Sequence, residues 1–184
     1  MTVTTAKWTL DDYHCMIEVG LLEGRHVELL SGEIIEMPPE GEPHAYYRTE
    51  AKDYLKELLG TRAKLREAAP ITIPATASEP EPDIAIVEPL GREYLQHHPY
   101  PKNIFWLIEF SNTSLGKDLD VKRKAYATAE IREYWVMDLK HRHLKVFREP
   151  KDGDYASPMI LSGGEIRPLA FPDIAVSVRQ LLEA

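Results

Sequence analysis

Apolar and polar residues alternate with changing period along this chain, and each change marks an element. Thr9 and Asp12 form a capping pattern that opens a short helix over about residues 10–20. His26-Val-Glu-Leu-Leu30 and Glu33-Ile-Ile-Glu-Met37 flank Ser31-Gly32 and read as two strands around a tight turn. After a loop with Pro38, Pro39, Gly41 and Pro43, residues 44–59 place Ala51, Leu55, Leu58 and Leu59 at helical spacing. Arg48, Lys52 and Lys56 fall on another face of that helix. Strands are expected near 63–68 and 70–73, then at 84–87 after the acidic, proline-broken loop Ser78-Glu-Pro-Glu-Pro82. Residues 104–110 form the most apolar run and predict a central strand. A helix over 118–129, a strand over 133–139 and a partner strand over 144–147 follow, with a short helix expected around Tyr94 and a closing helix over 176–182. The order describes an α/β (α+β) fold, a central mixed β-sheet flanked by helices, in a single domain over residues 1–184.

Composition narrows the setting. The 43% hydrophobic and 28% charged content is ordinary for a globular chain. No apolar run approaches the roughly 20 residues of a membrane helix, and the N-terminal stretch lacks a secretory layout, so a cytoplasmic location is expected. The lone Cys15 excludes an intrachain disulfide framework and reads as a small core residue. The net charge of −8 argues against a broadly basic nucleic-acid-binding surface. Residues 117–148 nevertheless carry nine Lys or Arg against five acids, a local +4. That leaves either a basic surface or merely solvated faces.

Two carboxylates stand out. Asp83 precedes an apolar strand and Glu109 lies inside another, where alternation sets Phe105, Leu107 and Glu109 on one face. An acid in such surroundings needs a cation. Asp83 and Glu109 are therefore candidate ligands for Mg²⁺, with Mn²⁺ as its substitute, because hard cations take oxygen ligands and often only one or two carboxylates. Lys122 is the candidate amine beside them, sharing a helix face with Asp118 and Tyr126 at i, i+4, i+8 spacing. The plainer alternative is a buried Glu–Lys pair that only orients elements.

The same residues carry a family resemblance. The run Glu79-Pro-Glu-Pro-Asp-Ile-Ala-Ile-Val87, the block LIEFSNTSLGKDLDVKRKAYATAEIREYWVMDL over 107–139, and VELLSGEIIEMPP over 27–39 with His44 beyond it resemble the Uma-two family. That family of restriction-endonuclease-like proteins is a branch of the PD-(D/E)XK nuclease superfamily. The resemblance spans nearly the whole chain. It implies divalent-metal hydrolysis of DNA phosphodiester bonds, with Asp83, Glu109 and Lys122 catalytic and Asp83 and Glu109 on the metal. It further implies that Glu28 lies near the metal and that His44 touches substrate or supports the ligands, with Ser111, Asp118 and Tyr126 around them. The departure is Ser111, where the superfamily's E-x-K pattern has lysine; the resemblance implies that Lys122 reaches back to replace it. The expected partners are DNA and a second copy in a homodimer, with no membrane. The competing expectation is an inactive nuclease fold that binds nucleic acid or a protein.

Overall fold

The computed structural model describes residues 4–111 and 117–183, without the side chains of 117–119. Helix α1 (Leu10–Glu18) begins on the expected reciprocal cap: Asp12 N–H donates to the Thr9 hydroxyl, and Thr9 N–H donates to the Asp12 carboxylate. Strands β1 (Val27–Leu30) and β2 (Glu33–Glu36) pair antiparallel around Ser31 and Gly32, whose φ values are 51° and 75°. Both turn residues therefore sit in the left-handed region that a two-residue hairpin requires. Glycine at 32 also meets a steric demand, since a Cβ there would lie 2.9 Å from the Lys7 Cβ.

Helix α2 (Glu42–Leu59) buries Ala51, Leu55 and Leu59, the stripe its spacing predicts. Beyond it run β3 (Lys64–Glu67), β4 (Ile84–Val87), β5 (Ile104–Ser111), α3 (Lys117–Thr128), β6 (Glu133–Asp138) and β7 (His143–Arg148). The last elements are β8 (Pro150–Lys151), β9 (Asp154–Tyr155), β10 (Met159–Leu161), β11 (Glu165–Ile166), β12 (Val176–Ser177) and α4 (Val178–Leu182). Residues 70–73 differ from expectation. They run between prolines at 70 and 74, and their N–H groups go to loops, Ile71 to Pro80 and Thr72 to Pro99, with only an isolated bridge from Ile73 to Ser78. The closing helix also starts late, because Val176 and Ser177 pair with β11 before the Ser177 side chain caps α4. Cys15 is exposed, not a core residue: α1 buries only Tyr13.

One sheet has the order β10-β7-β6-β5-β4-β3. Its β5–β6 pair is parallel, joined by the α3 crossover, and its other pairs are antiparallel. One face packs Ile84, Ile86, Trp106, Ile108, Trp135 and Met137 against α2 and α4. The other packs Ala85, Val87, Leu107, Tyr134 and Val136 against Tyr126 and Ala127 of α3. Both faces of β5 are covered, which is why its sequence reads as a continuous apolar run. Each such side chain, fully buried, contributes about 2 kcal/mol. Alternation fails once in β5. The register moves from Ile86↔Trp106 to Val87↔Ile104, so Phe105 is the extra residue of a bulge. It leaves the Glu109 face and packs edge-on against Phe171, with ring centroids 5.0 Å apart. No helix among the described residues is long and apolar enough to cross a membrane.

Candidate active site

Strand register explains how two acids far apart in sequence meet. Ile84 lies opposite Ile108 in the antiparallel β4–β5 pair, so continuing one step brings Asp83 beside Glu109. Both share the parity of Ala85 and Leu107, which face α3. Parallel strands end on the same side of the sheet as the start of their crossover helix, which delivers α3 over these positions.

From α3, two side chains one turn apart reach Glu109. The Tyr126 hydroxyl donates to its Oε1 at 3.0 Å, and the Lys122 ammonium lies 3.1 Å from the same oxygen. Lys122 also donates to Glu28 Oε1 at 3.1 Å. Glu28 belongs to β1, so one ammonium ties the hairpin, the central strand and the crossover helix together. All three charged groups are buried, at 2% exposure for Glu28, 5% for Glu109 and 4% for Lys122. The second oxygen of Glu28 is buried and finds no hydrogen-bond partner.

The charges in this pocket do not balance. Burial pushes the Glu109 carboxyl up to about 8; the Asp83 and Glu28 carboxylates push it the same way, and Lys122 opposes them. Burial likewise raises Glu28 against the pull of Lys122. Burial acts against the Lys122 charge, yet Glu109, Glu28 and Asp83 outweigh it and hold the ammonium protonated above its ordinary range. Burial, then the neighbouring Glu109, hold the Tyr126 phenol well above its ordinary value.

Asp83 faces a second network. Its Oδ2 accepts the Phe110 N–H at 2.7 Å and lies 3.0 Å from His44 Nε2. The other ring nitrogen of His44 lies 2.5 Å from Glu40 Oε1, and Arg48 Nη1 lies 2.7 Å from that oxygen. Arg48 also contacts Glu67 at 3.1 Å and approaches Asp83 Oδ1 at 3.9 Å. Partial burial opposes the charged imidazole, but Asp83 and Glu40 prevail and bring His44 up to about 9.

Of the residues singled out from sequence, Glu28, Glu109, Lys122 and Tyr126 thus form one buried cluster, and Asp83 and His44 form an adjoining one. Ser111 is buried, shares the parity of Glu109 and accepts the Leu139 N–H on its carbonyl. The Asp118 side chain lies outside the described residues. Sequence reasoning missed Arg48 as a site residue and placed it only on the helix face away from the apolar stripe; its i+4 spacing from His44 was the available signal. Several cations of the basic stretch are paired in place, Arg123 with Asp120 and Asp154, Lys145 with Asp138, and Arg148 with Glu133.

Among the described residues no group of three or more His, Cys, Asp or Glu side chains is arranged to hold a metal. Two carboxylates suffice for a hard cation that keeps its own waters. The orphaned Glu28 oxygen and the raised Glu109 carboxyl are both features that a nearby divalent cation would relieve. Oxygen donors of this kind are the ones that Mg²⁺ or Mn²⁺ prefers.

A mixed sheet whose central parallel pair is bridged by one helix, with acids converging at neighbouring strand positions, is the architecture of restriction-endonuclease-like nucleases. The chain belongs to the Uma2 family, described as "Putative restriction endonuclease", whose model matches residues 10–179. The fold is similar to that of a solved "putative nuclease belonging to DUF820" from Anabaena variabilis, at 14% identity and a TM-score of 0.71, over 95% of this chain and 97% of that one. No curated protein matches the chain.

Proposed function

We propose that this protein is a divalent-metal-dependent endonuclease that hydrolyses DNA phosphodiester bonds, with Asp83 and Glu109 holding Mg²⁺ or Mn²⁺. The observation that carries this reading is the acid excess beside one ammonium: Glu28 and Glu109 each lie 3.1 Å from Lys122, and Asp83 stands at the strand position next to Glu109. When bound, the cation supplies Lewis-acid activation of water and of the phosphate.

The chain's own groups divide the remaining tasks. Lys122 stays protonated, so it serves as a fixed positive charge beside the Glu28 and Glu109 carboxylates and not as a base. Glu28 holds that ammonium from the hairpin side. Tyr126 fixes the Glu109 carboxylate by one hydrogen bond, and the Phe110 N–H with His44 fixes that of Asp83. The test is cleavage of plasmid DNA with Mg²⁺ or Mn²⁺ by the wild-type protein and by Asp83→Asn and Glu109→Gln. Metal-dependent nicking that both substitutions abolish is expected. Undiminished cleavage in both would overturn the assignment.

One observation favours a second reading. Lys122 is fully enclosed by two acids, as in a structural ion cluster, and Ser111 brings no charge to the strand. A non-catalytic module that binds nucleic acid or a protein would show no cleavage under either metal, with any DNA affinity falling steeply with salt.

A further inference from the structure

One carboxylate beside the candidate site is held differently from its neighbours. Glu40 lies in the segment between β2 and α2, after Pro38 and Pro39 and before Gly41. The prolines have no N–H to donate, and residues 38–43 are exposed. From this segment Glu40 Oε1 reaches two cations of α2, lying 2.5 Å from His44 Nδ1 and 2.7 Å from Arg48 Nη1.

Each of these cations also has an acid fixed at the main sheet. His44 Nε2 lies 3.0 Å from Asp83, whose carboxylate accepts the Phe110 N–H of β5. Arg48 Nε lies 3.1 Å from Glu67 of β3, which also holds Lys52 at 2.6 Å. Asp83 and Glu67 therefore orient His44 and Arg48 whether or not Glu40 is in place. A carboxylate and a phosphodiester each present two oxygens that share one negative charge, and a guanidinium binds either. Replacing Glu40 by a phosphate keeps the three cations His44, Arg48 and Lys52 matched by three negative charges.

We propose that His44 and Arg48 form the seat of a DNA phosphate, and that Glu40 fills this seat until the substrate displaces it. The seat adjoins the acid assigned to the metal, since Arg48 Nη1 lies 3.9 Å from Asp83 Oδ1. Glu40 is then a built-in competitor, and the apparent affinity for DNA falls by the fraction of time that it holds the seat. That the phosphate belongs to DNA rests on the endonuclease reading.

Binding of a fluorescent DNA duplex in EDTA, followed by anisotropy, tests the exchange apart from cleavage. Glu40→Gln should bind about tenfold more tightly than the wild type, because the seat is then open. Glu42→Gln removes the same charge from a nearby exposed position, and should change affinity by less than about twofold. Arg48→Gln should weaken binding, and Glu40→Gln added to it should bring little gain. Should Arg48→Gln fail to fold, as its melting curve will show, His44→Gln supplies the same comparison. Inorganic phosphate should raise the melting temperature of Glu40→Gln by more than that of the wild type. Equal gains from Glu40→Gln and Glu42→Gln, a gain that survives loss of the seat, or no DNA affinity in any variant would each overturn the proposal. A protein whose DNA binding follows Glu40 but which cuts nothing with Mg²⁺ or Mn²⁺ would keep the exchange and remove the endonuclease reading alone.

Discussion

Glu109 and Glu133 stand on adjacent parallel strands, both almost without solvent contact, yet they differ in what surrounds them. Glu133 accepts the Trp135 indole N–H, two N–H groups of Arg148 and the Leu169 N–H. Four donors from three parts of the chain satisfy one carboxylate, and the result is a clasp that fastens the C-terminal segment to β6. Glu109 has one hydroxyl and a share of an ammonium that Glu28 also uses, and its carboxyl is pushed up to about 8. Burial alone therefore does not set these two acids apart. The distinction lies in how completely the charge is answered, since an acid left partly unanswered is one that a cation or substrate can still bind.

The largest expected effects break the comparison from both sides. Glu109→Gln or Asp83→Asn should lower metal-dependent cleavage on the order of a thousandfold, while Glu109→Gln leaves stability unchanged or raised because it removes an excess buried charge. Glu133→Gln should do the reverse. It leaves Arg148 without its counter-charge and should cost about 3 kcal/mol, read by urea unfolding, with cleavage per folded molecule unaltered. If both substitutions destabilised equally and neither spared activity, the contrast between the two acids would fail.

Lys122→Met comes next. It strands Glu28 and Glu109 together in a buried site, so a loss of about 3 kcal/mol is expected near pH 8. At pH 5 the loss should shrink, because both acids can then take up protons.

Titration sharpens the same contrast. Glu109 ordinarily titrates at 4.5 and is raised to about 8 in the folded chain. Between those values the folded state holds a proton that the unfolded chain has released, so stability falls as pH rises through that window. His44, raised from 6.5 to about 9, adds stability that is fully present below 6.5 and lost as pH rises through 9. Both shifts act in the same direction. Without metal, the melting temperature should decline steadily from pH 5 to pH 9. Glu109→Gln should flatten the lower part of that decline and His44→Gln the upper part, and added Mg²⁺ should lessen the Glu109 component.

Much of this arrangement was legible before any coordinates. The Thr9–Asp12 cap, the Ser31-Gly32 turn and the apolar stripe of α2 are local signals, and each element follows its own residues. The Lys122–Tyr126 face of α3 is equally local, and it places both groups on Glu109. What sequence spacing did not reveal is set by tertiary contact. The bulge that turns Phe105 depends on pairing with β4, and the failure of residues 70–73 to form a strand depends on loops that capture their N–H groups. Glu28 illustrates the limit well. A glutamate in a two-stranded hairpin reads as solvent-facing by pattern, and it is buried only because α3 packs across β1.

The smallest test concerns the hydroxyl of Tyr126. Its ring is fully buried and packs edge-on against Tyr134 at 5.1 Å between centroids, so Tyr126→Phe keeps the packing and removes a single donor. A structural tyrosine would register that change mainly in stability, at about 1 kcal/mol. A tyrosine that orients Glu109 should register it elsewhere as well. With one donor fewer, the carboxylate is held by Lys122 alone, and its charged form is less favoured. Metal affinity, followed by Mn²⁺ binding without DNA, should then weaken by about tenfold, whereas the same removal of a donor from Glu133 by Trp135→Phe should leave Mn²⁺ binding untouched. Equal Mn²⁺ affinity in wild type and Tyr126→Phe would return Tyr126 to the core, with packing as its whole role.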